Sequence, residues 1–130
     1  MFKTTIKPRF NETDALGHIN NNVYSIWFDS AREPIYNYFH STNASNEIDL
    51  IVAKISCEFL NEVFYGKEVL IETQIQRIGN SSFEVIHQLF QDNKLCSIGN
   101  ATLVHFNHKE KHSIILNEKR KKFLEEHLKN

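Results

Sequence analysis

Between residues 51 and 106 apolar side chains recur at every second position, and this alternation constrains the fold more than any other feature of the chain. Four segments show it: 51–59, 69–76, 83–89 and 95–106. Turn-forming residues separate the last three, with Gly-Asn-Ser at 79–81 and Asp-Asn-Lys at 92–94. Strands joined by such short turns run antiparallel, so the pattern predicts a meandering antiparallel sheet.

A further strand is predicted at residues 2–10, where the same alternation appears. Pro8 has no amide donor, which places this strand at an edge of the sheet or Pro8 at a bulge. In the segment 95–106 the alternation slips around Gly99 and Asn100, and this predicts a β-bulge there.

The segment from Val23 to about Phe39 is apolar on most sides, as in helices that other structure encloses. Pro34 is predicted to kink or split this helix. A second, short amphipathic helix is predicted from Asn117. Its inward residues are predicted to be Phe123, Leu124 and Leu128. The order of elements indicates an α+β domain with an antiparallel sheet around or against a long helix.

Composition excludes several functions. The 130 residues carry a formal charge of -1, so no basic field attracts nucleic acid or anionic lipid. No apolar run approaches the roughly 20 residues that cross a bilayer, and the start lacks a signal-peptide pattern. We therefore expect a soluble cytoplasmic protein. Cys57 and Cys96 are too few for a disulfide scaffold and are predicted to be reduced core thiols.

Polar residues crowd the stretch Asn-Glu-Thr-Asp-Ala-Leu-Gly-His-Ile-Asn-Asn-Asn, which lies just before the predicted helix. Asparagine is a good helix N-cap, and a helix N-terminus offers free amides that suit a developing oxyanion. Asp14 and His18 precede that positive end, and a carboxylate beside an oxyanion site can attack an activated acyl group. From the residues alone, local capping and catalysis explain the stretch about equally well.

Other motifs are absent or weak. The chain has no GxSxG, HExxH, GxGxxG or P-loop motif. His105, His108 and His112 have spacings that suggest a metal site, but their strand-end and Lys-rich surroundings favour solvated histidines and no metal.

The stretch Thr-Asp-Ala-Leu-Gly-His-Ile-Asn-Asn-Asn-Val-Tyr-Ser-Ile-Trp-Phe-Asp-Ser-Ala-Arg at 13–32 resembles the signature of hotdog-fold acyl-CoA thioesterases of the 4-hydroxybenzoyl-CoA thioesterase type. In that signature an aspartate precedes H-(V/I)-N-N-x-x-Y and a helix that ends in (E/D)-x-A-R. The resemblance implies one hotdog domain over 1–130, with about five antiparallel strands wrapped around a long central helix. It also implies a homodimer or homotetramer with active sites between subunits.

By the same resemblance, Asp14 is the catalytic carboxylate, acting as a base on water or as a nucleophile. The amide near Asn21 is then the oxyanion donor, and Gly17 permits the tight loop. His18 lies where plant acyl-carrier-protein thioesterases have a catalytic histidine, although Leu16 replaces their asparagine. Candidate contacts for the pantetheine or phosphates of CoA are Arg77, Asn80, Ser81 and Ser82. Asp29 and Arg32, three residues apart, are predicted to form a structural pair or an interface contact.

The implied activity is hydrolysis of acyl-CoA to free acid and CoA, with no cofactor beyond the CoA of the substrate. Such simple machinery is sufficient because a thiol, with a pKa of about 8.5, leaves readily. Two alternatives stay open. One is a hotdog enoyl-CoA hydratase or dehydratase, although their D-x-N-P-x-H motif is absent. The other is a non-catalytic acyl-CoA-binding module.

Overall fold

A computed structural model describes residues 1–130 as one curled antiparallel sheet with three short helices. The elements in chain order are β1 (Phe2–Ile6), α1 (Val23–Ala31), α2 (Glu33–Ser41), β2 (Leu50–Phe59), β3 (Val69–Ile78), β4 (Ser82–Gln91), β5 (Lys94–Asn107), β6 (His112–Ser113) and α3 (Glu118–Glu125). The strand order is β1-β3-β4-β5-β2, and β6 pairs with the end of β5. No helix is long and apolar enough to cross a membrane.

The predicted meander is confirmed for β3, β4 and β5, which pair antiparallel in sequence order. It is wrong for β2, which pairs with β5 at the opposite edge of the sheet and not with β3. Between β4 and β5, Asp92 and Asn93 both have positive φ angles (52° and 61°), the conformation of a tight hairpin turn. The first strand is shorter than predicted and ends at Ile6, so Pro8 lies beyond it. It does form an edge of the sheet, as predicted from Pro8.

The long central helix is not formed, because the segment is split into two helices of nine residues. Arg32 separates them and serves as the C-cap of α1 and the N-cap of α2. Pro34 lies in the first turn of α2, where a missing amide donor costs no hydrogen bond. The prediction that Pro34 kinks or splits the helix is therefore confirmed.

The bulge predicted at Gly99 and Asn100 is wrong. Gly99 pairs regularly with Cys57 on β2 and with His87 on β4. The irregularity in this pairing lies nearer the start of β5, where Cys96 is the extra residue between two paired positions. Gly99 faces inward against Phe28 of α1, and a Cβ at this position would lie 2.4 Å from the Phe28 ring. The glycine therefore permits the close approach of helix and strand.

The C-terminal helix α3 begins at its predicted cap, where Asn117 Oδ1 accepts a hydrogen bond from the Arg120 amide at 2.9 Å. Leu124 is buried and Phe123 is half-buried, as predicted. The prediction for Leu128 is wrong: it follows the end of the helix and is 39% exposed. Both cysteines are free thiols. Cys96 is buried, whereas Cys57 is only half-buried.

Candidate functional site

The polar stretch before α1 folds into a closed loop. Thr13 and Ile19 form an isolated β-bridge at its base, and the Asp14 amide donates to the His18 carbonyl at 2.7 Å. Gly17 has a φ of +80°, a conformation that glycine adopts without strain. The predicted role of Gly17 in a tight loop is consistent with this geometry.

Backbone and side-chain bonds fix the loop to its surroundings. The Ile19 amide donates to the Val63 carbonyl at 2.8 Å, and the Tyr65 amide donates to the Gly17 carbonyl at 3.2 Å. On the helix side, Trp27 Nε1 donates to Glu12 Oε2 at 2.9 Å. The loop is therefore attached both to α1 and to the segment between β2 and β3.

Asp14 has one oxygen engaged and one free. Its Oδ1 accepts hydrogen bonds from the amides of Leu16 (2.8 Å) and His18 (3.1 Å). These two bonds hold the carboxylate in one orientation, and Oδ2 accepts no hydrogen bond from the chain. Because Asp14 is exposed, Oδ2 can reach a water or a substrate carbonyl.

His18 lies next to a second carboxylate. Its Nε2 is 3.3 Å from Glu62 Oε2, and its ring packs edge-on against Phe64 with ring centres 5.0 Å apart. Glu62 comes from the irregular segment between β2 and β3. The ring of His18 is therefore oriented by two residues of that segment.

The asparagines at the start of α1 make different hydrogen bonds. Asn22 occupies the N-cap position without a side-chain cap bond, whereas Asn20 Oδ1 accepts a hydrogen bond from the Asn22 amide at 2.9 Å. Asn20 therefore has a local structural role, because its side chain stabilises the turn that leads into α1. The backbone amides of Asn21 and Tyr24 have no acceptor within the chain.

A cavity of about 300 Å³ brings these groups together. Its lining residues are Asp14, His18, Ile19, Asn21, Tyr24, Phe59, Leu60, Asn61, Glu62 and Val63. All three predicted catalytic residues line it. Burial raises the pKa of Tyr24 to about 12, so the phenol is neutral at physiological pH.

Sequence reasoning did not select Tyr24, Asn61 or Glu62 for the site. Tyr24 is part of the signature and could have been found there. Glu62 reaches His18 only because the 60–68 segment folds back across the loop, and no local pattern in the sequence indicates this contact.

The predicted CoA contacts at the β3–β4 turn do not line this cavity. Arg77 Nε is 3.8 Å from Glu84 Oε2 across the two strands. The carbonyls of Ser81 and Asn80 accept hydrogen bonds from the amides of His105 (2.7 Å) and Leu116 (2.8 Å). Ser82 closes the turn through its carbonyl, which accepts from the Gly79 amide at 2.7 Å. A CoA-binding role for these four residues stays a prediction.

The three histidines near the end of β5 do not converge, and no group of three or more potential metal ligands lies together in the chain. His108 and His112 contact the Ile48 carbonyl and Glu110, respectively. The prediction of solvated histidines is wrong for His105, which is 5% exposed. It lies within 2.8 Å of Asp49 Oδ2 and 2.7 Å of Arg120 NH1 in a buried charged cluster.

The predicted structural pair of Asp29 and Arg32 is confirmed, with NH2 and Oδ1 3.0 Å apart. Arg32 NH1 also lies 3.1 Å from His87 Nε2. Because a guanidinium group can only donate, Nε2 accepts, and the neutral ring donates through Nδ1 to Thr73 Oγ1 at 2.8 Å. Burial, assisted by the Arg32 charge, lowers the pKa of His87 to about 3.

Known proteins resemble the chain over most of its length. A Bacillus stearothermophilus structure described as a predicted thioesterase superimposes with a TM-score of 0.93 at 29% identity, covering 99% of this chain and 97% of that one. A Thermus thermophilus thioesterase complexed with coenzyme A and Zn gives a TM-score of 0.80 at 23% identity, covering 92% and 94%.

Among curated sequences, Bacillus subtilis YsmA is 28% identical over 88 residues. These residues are 68% of this chain and span 59% of YsmA. The family model described as the thioesterase-like superfamily matches residues 8–129. The chain therefore belongs to the thioesterase-like superfamily.

Proposed function

We propose that this protein hydrolyses acyl-CoA thioesters to a free acid and CoA, with Asp14 as the reacting carboxylate. The observation that carries the proposal is the position of Asp14 in the same cavity as Asn21 and Tyr24, two residues whose backbone amides have no acceptor within the chain. Membership of the thioesterase-like superfamily supports thioester hydrolysis in general. The Staphylococcus aureus relative SAV2348, at 15% identity and a TM-score of 0.84, is described in complex with CoA, which supports a CoA ester.

Two routes are open to Asp14 Oδ2. As a base it takes a proton from a water, whose oxygen then forms a bond to the thioester carbon. As a nucleophile it forms that bond itself, giving an anhydride that water later hydrolyses. In both routes the C–S bond breaks, sulfur leaves with the electron pair, and the thiolate takes up a proton. The free Oδ2 is compatible with either route.

The amides of Asn21 and Tyr24 are the proposed donors to the carbonyl oxygen, whose negative charge grows as the bond to carbon forms. Tyr24 lies in the first turn of α1, at the positive end of the helix, and Asn21 directly precedes the N-cap Asn22. Backbone donors held in this way need no rearrangement during the reaction. His18, held by Glu62 at 3.3 Å, is the proposed partner for orienting the water or the leaving thiol.

We also propose that the chain associates with a second copy of itself. The edge strand β2 exposes Val52, Ile55 and Phe59, whereas the other edge, β1, exposes Lys3 and Thr5. An unpaired strand edge with apolar side chains favours pairing with another strand. Phe59 also lines the cavity, so pairing along β2 places the second chain next to the site. Size exclusion at micromolar concentration tests this, and a strict monomer contradicts it.

The test of activity is thiol release from acyl-CoA by the wild type and by Asp14→Asn. We expect kcat to fall by about 10²–10⁴, the range for loss of a general base, while acyl-CoA still binds. Asp92→Asn is the matched control, since this exposed turn carboxylate pairs only with Lys67. Equal rates for wild type and Asp14→Asn would refute the role of Asp14. Binding without thiol release by the wild type would favour a binding module.

A further inference from the structure

The segment between β2 and β3, residues 60–68, borders the candidate site but contains no helix or strand. Its first part is well fixed, because its first two amides donate to the Cys96 carbonyl at 2.9 and 3.1 Å and Val63 is fully buried. Packing fixes the second part less, since the side chains of Phe64 and Tyr65 are half-exposed. Hydrogen bonds therefore determine where this second part lies.

Residues 63–65 hold the Asp14 loop along one edge of their backbone. On this edge Phe64 forms an antiparallel bridge with His18, and the two backbone hydrogen bonds that join residues 63 and 65 to the loop measure 2.8 and 3.2 Å. In a bridge of this kind the amide and carbonyl of the central residue point to the opposite side. The backbone of Phe64 therefore faces away from the loop and needs other partners.

Gln91, the last residue of β4, supplies these partners. Its Oε1 accepts a hydrogen bond from the Phe64 amide at 2.9 Å, and its Nε2 donates to the carbonyls of Phe64 (2.9 Å) and Lys67 (3.1 Å). A carboxamide carries the same donor and acceptor groups as a peptide, so the side chain of Gln91 replaces a neighbouring strand. It is buried, and its backbone pairs with Lys94 beside the tight β4–β5 turn.

Gln91 does not line the site cavity, yet hydrogen bonds connect it through Phe64 and its neighbours to the Asp14 loop. We propose that Gln91 is a positioning residue, whose carboxamide fixes residues 63–65 and, through them, the Asp14 carboxylate. This inference rests on the proposed thioesterase function, because that reaction requires a fixed carboxylate. A displacement of about 1 Å in such a group can lower the rate by about 10²-fold.

The experiment combines amide hydrogen exchange with kcat in Gln91→Met, which keeps the chain length and removes the carboxamide. We expect the protection of the Ile19 and Tyr65 amides to fall by about tenfold or more, because the bonds that hold residues 63–65 are lost. The value of kcat should fall by about 10–10²-fold. Gln88→Met, on the half-exposed opposite face of β4, is the matched control and should change neither quantity. Faster exchange at Phe64 alone overturns the inference.

Gln91 is buried, and its replacement by methionine can prevent folding. Gln91→Glu is therefore the second variant. A protonated carboxyl can still accept from the Phe64 amide and donate to a carbonyl, whereas an ionised carboxylate cannot donate and faces two carbonyl oxygens. Burial raises the pKa of this introduced carboxyl, so the change falls within a range where the protein can be assayed.

We expect both kcat and the protection of Ile19 and Tyr65, relative to the wild type at the same pH, to be low near about pH 8 and to recover toward about pH 5. The other ionisable side chains around position 91 are those of Glu62, Lys67, Asp92, Lys94 and Cys96. Their titration, like that of Asp14 and His18, is common to both proteins and cancels in the ratio. Gln88→Glu should show no such recovery. Ratios for Gln91→Glu that do not change with pH overturn the inference.

Hydrogen exchange needs no substrate, so it separates this inference from the proposed function. If the wild type releases no thiol but protection of Ile19 and Tyr65 falls in Gln91→Met, the proposed hydrolysis fails and the structural role of Gln91 stands. If the wild type hydrolyses acyl-CoA and folded Gln91→Met keeps both its protection and its kcat, the inference fails and the hydrolysis stands. In an active enzyme, a change in only one of the two quantities also overturns the inference.

Discussion

Replacing Gly99 by alanine tests whether the contact between α1 and β5 fixes the spacing of helix and sheet. The backbone of Gly99 lies outside the left-handed region, so alanine can adopt it. Elsewhere such a replacement stabilises by about 0.4–1 kcal/mol, because it reduces the freedom of the unfolded chain. Here the new Cβ would lie 2.4, 2.6 and 3.0 Å from three atoms of the Phe28 ring.

Carbon atoms in contact are normally about 3.5–4.0 Å apart, so the ring must move by about 1 Å. It cannot do so freely, since it is stacked on His87, and β5 is held between β4 and β2. Overpacking of this kind costs about 1–3 kcal/mol. We therefore expect Gly99→Ala to lower the free energy of unfolding by about 1–3 kcal/mol.

Urea unfolding followed by circular dichroism measures this change. The variant Asn100→Ala, on the opposite and half-exposed face of β5, is the control and should change stability by no more than about 0.5 kcal/mol. In the double variant Gly99→Ala/Phe28→Leu the smaller side chain removes the clash, so the combined loss should be about 1–2 kcal/mol less than the sum of the single losses. A neutral or stabilising Gly99→Ala, or strict additivity with Phe28→Leu, would refute the reasoning.

Buried polar groups give the remaining predictions. Because the folded-state pKa of His87 is about 3, well below the ordinary 6.5, its contribution to stability is complete above pH 6.5 and is lost as pH falls toward 3. Lowering the pH from 6.5 to 5 should therefore lower the free energy of unfolding, measured in urea, by about 2 kcal/mol. In His87→Gln this pH-dependent loss should disappear. The same pH dependence in the wild type and in His87→Gln would contradict the prediction. Arg120→Met leaves the Asp49 carboxylate buried without its 2.6 Å partner, and we expect a loss of about 3–5 kcal/mol. In the double variant Arg120→Met/Asp49→Asn part of that stability should be recovered, as measured by thermal unfolding. A loss equal to or greater than that of Arg120→Met alone would show that the unpaired Asp49 carboxylate is not the cause.

The sheet could be predicted because successive side chains in a strand point to opposite faces, so that burial on one face leaves a period of two in the sequence. The split of the helix could be predicted because proline lacks an amide donor. Neither argument depends on which elements meet in space. The role of Gly99 does depend on it, since only the position of Phe28 explains the glycine. The alternation slips near the start of β5 because Cys96 and Ser97 are both buried, whereas Gly99 pairs regularly.

The residues of the candidate site also differ in whether the sequence alone could predict their positions. Asp14, His18 and Asn21 lie within one short stretch and could be selected together, because a loop of that length keeps them close. Glu62 is distant in the chain and lies in an irregular segment, so its contact with His18 depends on tertiary packing. The same reason explains His105, which a polar, Lys-rich neighbourhood suggested to be solvated. Its burial depends on charged partners, Asp49 and Arg120, that are far away in the sequence.

The anchors of α1 explain how a short helix can support chemistry at its exposed N-terminus. Trp27 binds Glu12 of the segment that leads into the Asp14 loop, Phe28 packs over Gly99, and Arg32 binds His87 and Asp29 at the far end. An isolated helix of nine residues is marginal in water, so these tertiary contacts, and not helix propensity, fix the direction of its free amides. Preorganised donors are effective only if they do not move when charge develops. The buried polar network around Arg32 therefore supports the proposed oxyanion site from the opposite end of the helix, without any contact with the substrate.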